Sequence, residues 1–192
     1  TNHTFFFDIH PPLGKLIYFY FSKLIQYDCT LLFQEPNSKY ENEHYVFFRI
    51  ISAIFTSFVP VLTYAILRTS SYSVLSSFLT TTFIIFETSI ISQSRFILIE
   101  GIQHFLICFH LLMLSISKNG FIIGLSLGIS ISVKMTSFSL IPFSVFYCFI
   151  MKIKENIKEH QSDPNIPKKY FFMVFFHDLL NLIEIIFIAL MM

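Results

Sequence analysis

Tryptophan is absent from the 192 residues, glycine occurs five times, cysteine three times, and only 13% of the residues are charged. A soluble domain is about 25% charged, so roughly half of the usual surface charge is missing. With 54% hydrophobic residues, 26 phenylalanines and a mean hydropathy of +0.67, a soluble globule of this size would expose large apolar patches. A soluble enzyme and a disordered chain are therefore excluded. The formal net charge of +1 offers no field for a polyanion, which excludes nucleic acid as a partner. Cys29, Cys108 and Cys148 lie far apart, two of them in apolar runs. Neither a disulfide framework nor a zinc site is indicated, and no metal is expected. The composition is that of an all-α membrane protein. The chain opens on Thr1 inside a motif and is expected to be a fragment.

A membrane span needs about 20 mostly apolar residues. Residues 50–67, 74–91, 96–116 and 170–192 meet that requirement, the first three bounded by polar residues on both sides. The run 121–151 is too long for one span, and Lys134 with Ser130, Ser132, Ser137 and Ser139 divides it near its middle. Two short helices meeting at a polar break are expected there, giving about six spans in all. Residues 11–27 are apolar but carry Lys15 and Lys23, as an amphipathic helix lying on the membrane surface would. The chain thus divides into a loop with a surface helix (1–49), a five-helix bundle (50–151), a basic loop (152–169) and a last span (170–192).

Orientation follows the basic residues. The segment 152–169 holds five lysines, Lys152, Lys154, Lys158, Lys168 and Lys169, and is expected to be cytosolic. Counting back, the turns at Arg68 and Lys118 are cytosolic too. Residues 1–49, the Gln93-Ser94-Arg95 turn and the Lys134 break then share the opposite side. Three segments distant in sequence converge on one face.

Charges at membrane depth are costly unless paired or hydrated, and so mark function. Glu87 and Arg95 are eight residues apart, spaced for an ion pair fixing the turn between two spans or for a cation facing an anion site. Arg49 stands at a span edge, either snorkelling to the interface or facing the same anion. Lys134 has no adjacent acid; it needs a distant partner or an anionic ligand. Three cations on one side suit a phosphate or pyrophosphate, and arginine's planar fork fits phosphate oxygens. Gly120, Gly124 and Gly128 recur every four residues, the spacing that lets membrane helices approach closely. His177, Asn181 and Glu184 form a polar stripe at i, i+4 and i+7, while His104 and His110 are six apart and share no face. Asn2-His3-Thr4 fits a glycosylation sequon. In Phe5-Phe6-Phe7-Asp8-Ile9-His10-Pro11-Pro12-Leu13-Gly14-Lys15 the paired prolines hold the chain extended before a helix starts. Asp8 and His10 are thereby fixed beside the membrane, where they could orient a substrate.

With these residues in view the chain resembles the protein O-mannosyltransferases, the dolichyl-phosphate-mannose–protein mannosyltransferase family. Phe6 to Lys15 reads FFDIHPPLGK and is similar to the family's FFDVHPPLGK. Tyr45-Val46-Phe47-Phe48-Arg49 is similar to its Y-V-x-M-R, Thr88 to Leu98 (TSIISQSRFIL) to its NSLITQSRFIL, and Ser132-Val133-Lys134-Met135 to its SVKW. Where the family has Asp-Asn, Glu87-Thr88 stands here; its later Asp is Glu100 and its Trp is Met135. The resemblance implies a GT-C-type multi-span helical bundle in the endoplasmic reticulum membrane. It implies inverting transfer of mannose, without a metal or other cofactor, from dolichyl phosphate mannose to Ser or Thr hydroxyls of secretory proteins, by a homo- or heterodimer. The family's proton-accepting Asp-Glu pair is expected upstream of Thr1, which leaves Asp8 as a weaker candidate. Arg49 corresponds to an arginine beside the lipid phosphate, with Lys134 and Arg95 as further phosphate-side candidates and Asp8 and His10 shaping the donor or acceptor pocket. Two other readings are a non-catalytic partner subunit and a transporter of an anionic lipid. A transporter would show internal repeats with matching broken helices, and the sequence shows none.

Overall fold

A computed structural model describes residues 10–27 and 44–162. The expected last span, Asp8 and the sequon lie outside these residues. Among these residues seven α-helices follow one another: α1 Leu13–Leu24, α2 His44–Thr69, α3 Val74–Ile85, α4 Thr88–Ser94, α5 Glu100–Ile116, α6 Gly120–Ile131 and α7 Leu140–Ser162, with a 3₁₀ turn over Met135–Ser139 ahead of α7. Among the described residues there is no strand.

The polar residues between apolar runs stop and start these helices. Ser73 Oγ accepts from the Ser76 amide, Glu87 Oε1 from the Ser89 amide and Asn119 Oδ1 from the Phe121 amide. Each satisfies an amide that has no partner within its own helix. Glu87 therefore caps α4, which corrects its expected use in an ion pair with Arg95. The same cap breaks the expected span 74–91 in two, and α3 and α4 meet at a bend of 53°. α2 and the segment Met135–Glu155 are each long and apolar enough to cross a membrane, and the bent pair makes a third crossing if counted as one. α5 and α6, at 17 and 12 residues, are shorter, because residues 96–99 and 132–134 form breaks rather than helix.

α7 continues past the membrane edge to Ser162, so the first part of the expected basic loop is helical. Its run Lys152-Ile153-Lys154-Glu155-Asn156-Ile157-Lys158 is rich in strong helix formers. Lys118 Nζ, in the α5–α6 turn, lies 2.6 Å from Glu155 Oε1. The pair joins two segments that the lysine count assigns to one side.

Packing is the inverse of a soluble protein's. Ser52, Ser77, Ser126, Ser130, Ser137 and Ser144 are buried, while Phe83 and Phe86 are 76% and 72% exposed. Small residues let membrane helices approach, and large apolar ones face lipid. A cluster of Leu114, Ile123, Leu127, Ile131 and Leu140 joins α5, α6 and α7. Gly124 and Gly128 of the glycine stripe are buried within it, on α6. On α1 the exposed Leu16, Phe19, Tyr20 and Leu24 fall at helical spacing on one face, the face a surface helix would turn to the bilayer.

His110 ties the same three helices together. Its Nδ1 lies 2.9 Å from Ser126 Oγ on α6 and its Nε2 2.8 Å from Ser144 Oγ on α7. A neutral ring donates one N–H and accepts at the other nitrogen, so one serine must turn its proton to the ring. The other keeps its bond to a carbonyl of its own helix, Ile123 or Leu140. Replacing His110 by Leu frees both serines to bond those carbonyls and orphans neither. Two ring bonds are lost and one serine–carbonyl bond is gained, a net loss of one hydrogen bond or about 0.5–1.5 kcal/mol, and His110→Ala adds a cavity on top of it. Thermal unfolding in detergent should rank wild type above His110→Leu above His110→Ala. Equal melting temperatures for wild type and His110→Leu would show the node to be energetically silent.

Candidate functional site

The two breaks in the bundle face each other, and α1 closes over both. The Leu13 amide donates to the Ser132 carbonyl at 3.0 Å, pinning the start of α1 to the α6 break. Gly14 is buried there because a Cβ on it would meet Ile99 Cγ2 at 3.0 Å and Val133 Cγ1 at 3.2 Å. Farther along α1, the Tyr18 hydroxyl donates to the Leu98 carbonyl at 2.8 Å. Burial raises the Tyr18 phenol above its ordinary value, which keeps its proton available for that bond. Ser52 Oγ on α2 reaches the same carbonyl at 3.5 Å. The proline pair ahead of α1 thus delivers a helix whose first turns contact the α4–α5 link, the α6 break and α2.

The expected site residues fall around this junction. His10 is half-buried on the approach to α1. Arg49 lies one turn before Ser52 on α2, with its guanidinium carbon 5.1 Å over the Tyr45 ring. Its Nε is buried and has no hydrogen-bond partner among the described residues. Arg95 is exposed at the C-cap of α4, three residues before Leu98. Lys134 stands in the α6 break and is partly buried, with its Nζ 2.8 Å from Glu100 Oε1 at the start of α5. The distant partner that this lysine requires is therefore an acid 34 residues away. Arg49, Lys134 and His10 belong to elements that meet here, and Arg95 sits at the rim. Among the described residues no three His, Cys, Asp or Glu side chains gather to hold a metal ion.

Some residues of the junction carry no sequence signal of their own. Gln103 Nε2 donates to Thr136 Oγ1 at 2.6 Å and Ser137 Oγ at 3.2 Å, and Gly101 packs against Ser52 and Thr56. The one available hint is spacing, since Glu100, Gln103 and His104 fall on one face of α5 at i, i+3 and i+4. Chemically the junction offers a buried guanidinium N–H and an ammonium on two different elements, the pattern that binds an anion with several oxygens.

Comparison with known proteins gives the chain a family. The family model described as dolichyl-phosphate-mannose-protein mannosyltransferase matches residues 1–191. The chain is 36% identical over 106 residues to Protein O-mannosyl-transferase 2 of Danio rerio, covering 55% of this chain and 14% of that protein. It is 35% identical over 143 residues to dolichyl-phosphate-mannose–protein mannosyltransferase 5 of Candida albicans, covering 68% and 20%. With dolichyl-phosphate-mannose–protein mannosyltransferase 3 of Saccharomyces cerevisiae the identity is 32% over 163 residues, covering 76% and 21%. The chain therefore spans only a fifth or so of the length of these relatives. A match along nearly its whole length, together with an all-helical apolar bundle, shows that the chain belongs to the dolichyl-phosphate-mannose–protein mannosyltransferase family.

Proposed function

We propose that this chain forms the donor-phosphate side of a protein O-mannosyltransferase site in the endoplasmic reticulum membrane. The reaction moves mannose from dolichyl phosphate mannose to Ser or Thr hydroxyls of secretory proteins, with inversion and without a metal or cofactor. Bond breaking at the anomeric carbon leaves a dolichyl phosphate whose charge grows in the transition state. Donors fixed in advance around that charge lower the barrier without reorganising. The observation that carries the reading is Arg49, with a buried guanidinium N–H free of protein partners among the described residues, at the junction that also holds Lys134. Arg95, at the exposed rim, is placed to meet the phosphate as it arrives. His10, on the fixed approach to α1, borders the sugar or acceptor pocket, and Asp8 belongs to the same approach in sequence. The proton of the attacking hydroxyl must pass to a carboxylate, a role assigned to none of the described residues. A homo- or heterodimer with a related subunit is part of the same proposal.

The test uses membranes from cells lacking their own protein O-mannosyltransferases and expressing the full-length protein. Supplied with dolichyl phosphate carrying labelled mannose and a Ser/Thr-rich peptide, they should label the peptide in a form released by β-elimination. Labelling that appears only on co-expression of a related subunit assigns this protein to a heterodimer. Movement of dolichyl phosphate across the bilayer with no peptide labelling under any condition would replace the enzyme by a lipid transporter.

A further inference from the structure

We propose that Glu100 is a positioning residue that acts through Lys134, an inference that rests on reading Lys134 as a phosphate-side cation. Lys134 occupies the gap between the end of α6 at Ile131 and the 3₁₀ turn beginning at Met135. Its backbone is extended, with φ −154° and ψ 139°, and its side chain does not cap the turn that follows. No helix therefore dictates where the ammonium goes, and a four-carbon stem is flexible.

Contacts from α5 supply the missing constraint. Glu100 Oε1 accepts from Lys134 Nζ at 2.8 Å. Three residues on, Gln103 Nε2 donates to Thr136 Oγ1 and Ser137 Oγ. Below the break, Ser130 Oγ donates to the Leu106 carbonyl at 2.9 Å. The contacts fall on both sides of the gap, 106 with 130 before it and 103 with 136 and 137 after it, so α5 splints it. Gln103 and Ser130 hold the residues on either side of it, and among the described residues Glu100 is the acid that holds the charge.

The ion pair has side-chain exposures of 19% for Lys134 and 24% for Glu100. A pair so placed contributes little net stability, but removing one member leaves a poorly hydrated charge. Without Glu100 the ammonium swings toward water, which withdraws it from the donor phosphate. A carboxylate that competed with the phosphate for the ammonium would have the opposite effect. The sign of the change in binding separates the two.

The measurement is dolichyl phosphate binding to the full-length protein in detergent, with mannose transfer followed in parallel. Glu100→Gln should weaken binding about tenfold, and Glu100→Asp, which keeps the charge, should recover most of it. The exchanged pair Glu100→Lys with Lys134→Glu restores the attraction with the ammonium on the wrong element. It should melt close to wild type and still bind dolichyl phosphate weakly; if Glu100→Gln fails to fold, this variant decides alone. Binding that is unchanged or tighter in Glu100→Gln, or recovered in the exchanged pair, overturns the proposal while transfer by the wild type leaves the enzyme reading intact. A wild type that neither binds dolichyl phosphate nor transfers mannose removes both.

Discussion

Gly101→Leu is expected to leave no folded protein in the membrane, and Gly101→Ala to destabilise it strongly. A Cβ at this position would lie 2.6 Å from Thr56 Oγ1, 2.7 Å from Ser52 Oγ and 2.8 Å from the Ser52 carbonyl oxygen. The two hydroxyls could rotate away. The carbonyl belongs to the backbone of α2, so relief requires α2 and α5 to move apart along their shared face. Overpacking of this kind costs about 1–3 kcal/mol for a single added methyl, and a Leu side chain has no space at all. Gly14 provides the comparison. Its added Cβ would meet the methyl groups of Ile99 and Val133 at 3.0–3.2 Å, which rotamer changes can absorb, so Gly14→Ala should be the milder change. Thermal unfolding and monodispersity in detergent read both variants. A Gly101→Ala protein as stable as Gly14→Ala would mean that α2 and α5 do not approach this closely. Because Arg49 is carried by α2 and Glu100 adjoins Gly101, the substitution should also disturb the candidate site before it unfolds the protein.

What the sequence discloses and what it hides divide along physical lines. The break at Lys134 is legible because a lysine is costly in the middle of an apolar span, and the observed gap between α6 and α7 falls there. That this lysine needs a distant partner follows from the cost of its charge, but the identity of Glu100 does not, since only the folded chain brings together residues 34 apart. The glycine stripe on α6 shows as a repeat; Gly101, a single glycine, does not. Buried serines are hidden for another reason. A serine on a helix in water is ordinarily exposed, whereas here Ser52, Ser126 and Ser144 are buried and phenylalanines face outward. Reading a lipid-exposed protein requires inverting that expectation. The α3–α4 bend is obscured because residues 74–91 contain neither Pro nor Gly, and only the capping geometry of Glu87 reveals it. The likeness to FFDVHPPLGK locates the α1 approach, while its docking on Ser132 and Leu98 depends on backbone hydrogen bonds no sequence motif encodes.

In the full-length protein, Arg49→Ala should lower mannose transfer by a factor on the order of 10²–10³, the usual loss when one preorganised donor to a developing anion is removed. The magnitude follows from the setting of the guanidinium. Its Nε is buried without a protein acceptor among the described residues, and its guanidinium lies over the Tyr45 ring. A cation over an aromatic face contributes about 0.5–1 kcal/mol at exposed sites and about 2 when desolvated, so the protein's own stability depends on Arg49 modestly. Function and stability should therefore separate: transfer collapses while the melting temperature moves little. Arg49→Lys keeps the charge but loses the planar fork, and should fall between wild type and Ala. The kinetic signature is a fall in kcat together with kcat/KM, because the phosphate gains negative charge only as the glycosidic bond breaks. A rise in KM with kcat unchanged would place Arg49 in ground-state lipid recognition instead. A melting temperature that drops in step with activity would identify the arginine as a structural anchor of α2 and remove it from the site.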